Sequence, residues 1–253
     1  MNKLLPFFML IILSVVLSGC AIVEEVFTSE SSQFQEALIK SRDHLIQTNV
    51  GLYVTDEQQG LLPGRSESRL GSGVVFYEDD EYYYVLSSFH VIEPTFRAET
   101  TYEVKPQGFD EDETLNASLI DYEEDYDLAL LRFDKTLADM EIINVTERIN
   151  RPLRQTEFVL AAGNPSGIDS VITFGRYERM AQIDKVSFNV IAHSAQIYPG
   201  NSGGLLADYE GNLIGINNWS SDNNEYNYAV GLEEIYTFLE DSDYDFSFLR
   251  EDS

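Results

Sequence analysis

The alternation of apolar and polar residues predicts a protein built mainly from short β-strands. From residue 50 onward, short segments rich in β-branched and aromatic side chains recur between turn-forming residues. The loop-like stretches include Gly60–Ser68 and Glu78–Glu81. The predicted strands are 51–55, 73–77, 82–86, 99–104, 115–120, 128–133, 157–161, 171–174, 188–192, 213–217 and 226–230.

Two helices are predicted outside the strand series. Phe34, Leu38 and Leu45 recur at helical spacing within 32–48, which predicts an N-terminal helix with one packing face. A second helix is predicted over Glu233–Glu240. Between the helices, many short strands at regular spacing favour a barrel or a sandwich.

A polar stretch near 142–155 divides the strands into two similar sets. We therefore predict a first half over 33–141, with the N-terminal helix and one set of strands. The second half, 142–253, would hold the other set, the C-terminal helix and an acidic tail.

The first 19 residues have the pattern of a secretory signal. Lys3 precedes an apolar stretch, Leu4–Leu17, that is short for a membrane span. Leu17-Ser18-Gly19-Cys20 follows and resembles the bacterial lipobox, in which the cysteine receives a lipid. This predicts a signal peptide over 1–19, an acylated Cys20 and a tether over 20–32. An uncleaved anchor helix, or cleavage elsewhere, is the alternative.

Net charge and cysteine content exclude several classes of function. The formal net charge of −28 disfavours binding to nucleic acid, whose phosphates would be repelled. A single cysteine excludes an internal disulfide framework and a cysteine-based zinc site. The acidic runs lack the ordered spacing of a calcium loop, so we predict no metal site.

Three separate fragments carry candidate chemistry. His90 follows a predicted strand, Asp127 directly precedes the apolar run 128–131, and Ser202 lies between Gly200-Asn201 and Gly203-Gly204. Their order along the chain, His then Asp then Ser, is that of chymotrypsin.

These fragments and their surroundings resemble the trypsin-like serine proteases, particularly the disulfide-free bacterial HtrA-like group. The resemblance extends over about 50–240, with Leu205 in place of a usual proline and no PDZ domain. The motifs that carry it are Gly71-Ser-Gly-Val-Val75, Ser88-Phe-His90-Val91, Asp127-Leu-Ala-Leu130, Gly163-Asn-Pro165, Pro199-Gly-Asn-Ser202-Gly-Gly204 and Gly211-Asn-Leu-Ile-Gly-Ile-Asn217.

The resemblance implies an all-β fold of two antiparallel six-stranded β-barrels with the active site between them. It implies Ser202 as nucleophile, His90 as its base and Asp127 as the residue that orients His90. The amides of Gly200 and Ser202 would form the oxyanion hole. No cofactor is expected.

The resemblance also implies a substrate pocket. Gln196 would form its floor, and Asn217, Asn218 and Trp219 its wall, although Trp219 could instead be a core aromatic. Asn217 stands where glutamyl endopeptidases carry a histidine, so we expect cleavage after neutral side chains of modest size rather than after glutamate.

Other candidates compete for these roles. Asp125, two residues before Asp127, would share its strand face. His44 is interpreted as a surface residue. His193 is interpreted as a structural histidine with satisfied hydrogen bonds, with a place in the substrate pocket as the alternative. For the whole chain we expect a membrane-anchored serine endopeptidase acting on exported proteins or peptides. The alternative is a catalytically inactive lipoprotein that binds peptides or an envelope partner.

Overall fold

The computed structural model describes residues 35–58, 64–96, 99–110, 113–167, 169–221, 225–242, 244, 246 and 249. The chain divides into two compact units, Met1–Lys40 and Ser41–Ser253. The predicted signal segment, Cys20 and the tether lie outside the described residues. A helix, α1, covers 35–48 and ends where the predicted N-terminal helix ends. Within the ranges given above, no helix is both long enough and apolar enough to cross a bilayer.

The first barrel follows α1 directly and closes on itself through antiparallel pairs. Its strands are β1 (Asn49–Glu57), β2 (Ser66–Glu78), β3 (Tyr82–Ser87), β4 (Glu99–Pro106), β5 (Leu115–Glu123) and β6 (Leu128–Asp134). Their order around the barrel is β1-β2-β3-β6-β5-β4. Val50, Leu52 and Val54 alternate along β1 and enter a buried core with Val85 and Leu131.

The second barrel repeats this arrangement. Its strands are β7 (Phe158–Gly163), β8 (Val171–Ala181), β9 (Val190–His193), β10 (Leu205–Asp208), β11 (Leu213–Ser220) and β12 (Asn227–Gly231). The closed order β10-β11-β12-β9-β8-β7 gives the same neighbour scheme as in the first barrel. Helix α3 (Leu232–Asp241) follows β12 and buries Ile235, Tyr236, Phe238 and Leu239.

The predicted fold class is confirmed: two closed six-stranded antiparallel barrels with a helix at each end. Three local predictions were wrong or incomplete. Strand β2 begins at Ser66, inside the predicted loop, because polar residues that alternate in exposure still pair with β1. Strand β10 was missed because none of its four residues is β-branched or aromatic. A four-residue helix, α2 (Phe89–Ile92), carries His90.

Candidate active site

His90 and Asp127 come from two connections of the first barrel. Helix α2 buries Val91 and Ile92, while the His90 side chain remains 39% exposed. Asp127 ends a turn just before β6, closed by its own N–H donating to the Glu124 carbonyl at 3.1 Å. Asp127 and Asp125 therefore do not share a strand face as predicted. The φ angle of Asp127 is 54°, a left-handed conformation that aspartate tolerates better than most residues.

The Asp127 carboxylate binds His90 twice. Oδ1 accepts the His90 backbone N–H at 2.8 Å, and Oδ2 lies 2.8 Å from ring atom Nδ1. An ionised carboxylate only accepts hydrogen bonds, so Nδ1 carries the proton. In the neutral ring, Nε2 is then the atom with the free lone pair.

Asn218 holds the other side of Asp127. Its side-chain amide donates to the Asp127 carbonyl at 2.7 Å and to Oδ2 at 2.9 Å. The residue is 3% exposed, so these bonds form away from water. Sequence reasoning placed Asn218 on the pocket wall and missed its contact with Asp127.

Ser202 lies in two consecutive tight turns that share Asn201. In 198–201 the Asn201 N–H donates to the Tyr198 carbonyl at 2.9 Å, and in 201–204 the Gly204 N–H donates to the Asn201 carbonyl at 3.0 Å. The third positions, Gly200 and Gly203, have φ angles of 102° and 83°. A positive φ at this position favours glycine, which accounts for both residues.

Every carbonyl from 199 to 202 accepts a hydrogen bond. A trans peptide points its N–H opposite to its C=O, so these bonds also fix the directions of the amides that follow. In the described part of the chain, the N–H groups of Gly200 and Ser202 donate to nothing, whereas those of 201, 203 and 204 all donate. The four carbonyl contacts are Pro199 with Ser166 N (3.1 Å), Gly200 with Ser72 Oγ (2.6 Å), Asn201 with Gly204 N (3.0 Å) and Ser202 with Ser72 N (2.8 Å).

Strand β2 brings the His90 and Ser202 segments together. A Cβ placed on Gly71 would lie 2.4 Å from Val91 Cγ1 and 3.2 Å from the Ser202 carbonyl oxygen, so Gly71 lies against the residue after His90 and against Ser202 itself. Among the described residues, no hydrogen bond joins the His90 ring to the Ser202 hydroxyl. Catalytic hydrogen bonds are often long without substrate and shorten once it binds.

A cavity of about 470 Å³ opens beside Ser202. Its lining includes three of the four predicted substrate-binding residues, Gln196, Asn218 and Trp219. Trp219 also packs against a small apolar cluster of the second barrel, so both roles weighed for it apply. A larger cavity, of about 600 Å³ near the start of α3, contains none of the predicted site residues.

Asn217 does not line this cavity. Its side chain is fully buried and donates to the Leu205 carbonyl at 2.6 Å, next to an irregularity in the β11–β12 pairing between Asn217 and Trp219. It lies beside His193, also fully buried. Neither ring nitrogen of His193 has a well-formed hydrogen bond within the described ranges, contrary to the prediction. Burial lowers the pKa of His193 to about 4, against an opposing contribution from Asn217.

The family of the chain follows from comparison with known proteins. A model of the trypsin-like peptidase domain matches residues 71–216, more than half of the chain. The chain belongs to the trypsin-like peptidase family. The match includes the His90, Asp127 and Ser202 positions, and the two-barrel fold agrees with it.

Curated relatives place the chain near the HtrA/Do serine proteases. It is 33% identical to Protease Do-like 1 of Arabidopsis thaliana, over 58% of this chain and 32% of the relative. It is 31% identical to Serine protease Do-like HtrA of Bacillus subtilis, over 60% of this chain and 34% of the relative. The chain thus matches only about a third of each relative.

A solved structure extends the similarity over most of the chain. The serine endoprotease from Yersinia pestis aligns with a TM-score of 0.61 and 27% identity, covering 85% of this chain and 67% of the other. The alignment therefore extends well beyond residues 71–216, the range matched by the family model.

Proposed function

We propose that this protein is a serine endopeptidase that hydrolyses peptide bonds through an acyl-enzyme formed on Ser202. The supporting observation is that Asn218 binds Asp127 of the oriented His90–Asp127 pair and also lines the cavity beside Ser202, while Gly71 of β2 lies against both Val91 and the Ser202 carbonyl. No cofactor takes part in the proposed reaction.

In the first half of the reaction, Ser202 Oγ attacks the carbonyl carbon of the substrate. Nε2 of His90 takes the hydroxyl proton, and Asp127 stabilises the imidazolium that forms. The negative oxygen of the tetrahedral intermediate accepts hydrogen bonds from the free N–H groups of Gly200 and Ser202. The C–N bond then breaks, and His90 returns the proton to the leaving amine.

In the second half, water replaces the amine. His90 removes a proton from this water as it attacks the ester carbon, and the same two amides hold the new oxyanion. The ester bond to Ser202 breaks, and the proton passes back to Oγ. The products are a carboxylic acid and the regenerated enzyme.

We propose that the substrates are proteins or peptides outside the cytoplasm, processed or degraded near a membrane surface. The first 19 residues would be removed as a signal peptide, and Cys20 would carry the lipid at the start of the 20–32 tether. Two or more acyl chains hold a protein firmly at a bilayer. Cys20→Ala should therefore move the protein from the membrane fraction to the soluble fraction. Equal membrane retention would contradict this anchor.

We expect the pocket to accept neutral side chains of modest size. Its lining residues Gln196, Asn218 and Trp219 carry no charge that would pair with lysine, arginine or glutamate. Cleavage of a peptide library, read by mass spectrometry, tests this. A profile dominated by Lys, Arg or Glu at the cleaved position would overturn it.

Labelling with a fluorophosphonate probe tests the proposed function. The wild-type protein should react at one site, Ser202, while Ser202→Ala and His90→Ala should not react. The alternative, an inactive peptide-binding lipoprotein, predicts no labelling of the folded wild type. Labelling that persists in Ser202→Ala would assign the nucleophile elsewhere.

A further inference from the structure

Ser72 has every polar group engaged at the junction of three segments. The residue lies on β2 and is fully buried. Its N–H donates to the Ser202 carbonyl at 2.8 Å, and its carbonyl accepts from Ser87 Oγ at 2.7 Å. Its hydroxyl donates to the Gly200 carbonyl at 2.6 Å and accepts the Asn164 N–H at 2.7 Å.

The hydroxyl joins a strand of the first barrel to two loops of the second. Asn164 follows β7. Two residues later, Ser166 donates its N–H to the Pro199 carbonyl at 3.1 Å. A Cβ on Gly200 would lie 2.7 Å from the Asn164 carbonyl oxygen, so these two loops are in direct contact. Ser72 Oγ therefore lies where the loop after β7 and the nucleophile loop meet.

The bond to the Gly200 carbonyl matters because of the backbone on either side of it. Gly200 has no Cβ to limit rotation, and its φ of 102° is one of several conformations open to glycine. The carbonyl is rigidly coupled to the N–H of Asn201, which closes the first turn. Without the Ser72 hydroxyl, that peptide plane loses its contact with the first barrel.

We propose that Ser72 is a positioning residue, whose hydroxyl holds the Gly200–Ser202 loop in the conformation that presents both free amides to the reacting carbonyl. The inference rests on the proposed function and deepens it. The two tight turns set the local shape of this loop, and Ser72 sets its register against the strand that also contacts the α2 segment. The oxyanion hole is thus assembled from both barrels, although both amide donors belong to the second.

The test compares Ser72→Ala and Ser72→Cys with the wild type. The matched control is Ser41→Ala, because Ser41 is also a buried serine whose hydroxyl donates to a backbone carbonyl, that of Tyr209 at 2.8 Å. Labelling rates with a fluorophosphonate, kcat and KM on fluorescent casein, and urea unfolding midpoints are measured for all four proteins.

We expect Ser72→Ala to lower kcat and the labelling rate on the order of 100-fold, similar to the loss of an oxyanion donor. KM should stay within about threefold, since the loss falls on the transition state. Ser72→Cys should be intermediate, because a thiol is a weak donor and acceptor. Ser41→Ala should lose stability while kcat stays at the wild-type value.

Three results would overturn the inference. One is Ser72→Ala labelling at the wild-type rate. Another is a drop in labelling no larger than that of Ser41→Ala at a comparable loss of stability, which would make Ser72 merely structural. If Ser72→Ala fails to fold, a Ser72→Cys protein that folds and keeps full kcat would be the third. A wild type that does not label at all would instead overturn the proposed function, and this inference with it.

Discussion

Several separate hydrogen bonds hold Asp127 in place. Its backbone adopts a left-handed conformation, its carboxylate binds both the main chain and the ring of His90, and Asn218 holds its carbonyl and Oδ2. Left-handed conformations cost a non-glycine residue on the order of 1 kcal/mol, so the surrounding bonds must outweigh that cost.

Replacing Asn218 tests this arrangement. Asn218→Ala removes two hydrogen bonds, one of them to an ionised group, and leaves the Asp127 carbonyl without this donor. We expect kcat/KM to fall about 10- to 100-fold in assays with fluorescent casein. Asn212→Ala is the matched control. The Asn212 side-chain amide also donates to a carboxylate, that of Asp208 at 3.2 Å, and this pair lies outside the candidate site. Equal effects of the two variants would contradict a role for Asn218 in orienting Asp127.

His193 makes stability depend on pH. Its folded pKa of about 4 lies below the ordinary value of 6.5, so between these values the unfolded chain binds more protons. The contribution of His193 to stability is therefore fully present above about pH 6.5 and is lost as the pH falls towards 4, by about 3 kcal/mol in total.

His193→Gln should remove this dependence. We expect its free energy of unfolding, measured in urea between pH 4 and 7, to change less with pH than that of the wild type. His44→Gln is the comparison variant, because His44 is only partly buried and its ring contacts the Glu141 carboxylate. A wild-type slope that survives in His193→Gln would show that other groups cause it.

At the scale of elements, α2 is held by Arg69, which is 17% exposed and forms an ion pair with the fully buried Asp56. Four residues are too few for a stable isolated helix. Arg69 on β2 donates through Nε to the Val91 carbonyl at 3.2 Å, and Nη1 lies 2.5 Å from Asp56 Oδ2. Burial opposes ionisation of Asp56, but hydrogen bonds from Arg69, Thr95 and Thr100 outweigh it and hold its pKa well below the ordinary range.

Breaking this pair should be costly. Arg69→Met leaves the fully buried Asp56 without its cation, and we expect the free energy of unfolding to fall by about 3–5 kcal/mol. In the double variant Asp56→Asn/Arg69→Met the loss should be smaller than the sum of the single losses. Chemical denaturation at pH 7 measures all three. Additive losses would refute coupling between the two side chains.

Sequence patterns predicted most strands because β-branched and aromatic residues concentrate in them, between turn-forming residues. Strand β10 was missed because its sequence, Leu-Leu-Ala-Asp, contains no β-branched or aromatic residue. Helix α2 was missed because its position depends on distant residues such as Arg69 and Asp56. The site follows the same division, since motifs indicated His90, Asp127 and Ser202. The contacts of the Ser72 hydroxyl and of the Asn218 amide instead join residues about 90 or more positions apart.

At the scale of the whole molecule, the segment after α3 returns to the first barrel. Phe246 packs 5.5 Å from the Phe76 ring and 5.6 Å from the Tyr84 ring, measured between centroids. Tyr244 lies 5.6 Å from Tyr84 and hydrogen-bonds to Arg132. Helix α3 follows the last strand of the second barrel, and the aromatic residues that come after it pack on the first. These contacts therefore connect the two barrels away from the candidate active site.

Phe246→Ala should lower the stability of the folded protein. The side chain is 3% exposed, and we expect a loss of about 3–5 kcal/mol in the free energy of unfolding. Phe174→Ala, at 51% exposure, should change it by less than about 1 kcal/mol. Thermal and urea unfolding compare the two variants. Similar effects would mean that Phe246 does not tie the barrels together.

The candidate site is divided between two barrels that have the same strand order. This division bears on when the protein becomes active during its synthesis. His90 and Asp127 belong to one half, whereas Ser202 and its two amides belong to the other. A half-finished molecule, with only one barrel formed, holds either a base without an alcohol or an alcohol without a base. Under the proposed function, proteolytic activity therefore begins only when the second half has folded against the first.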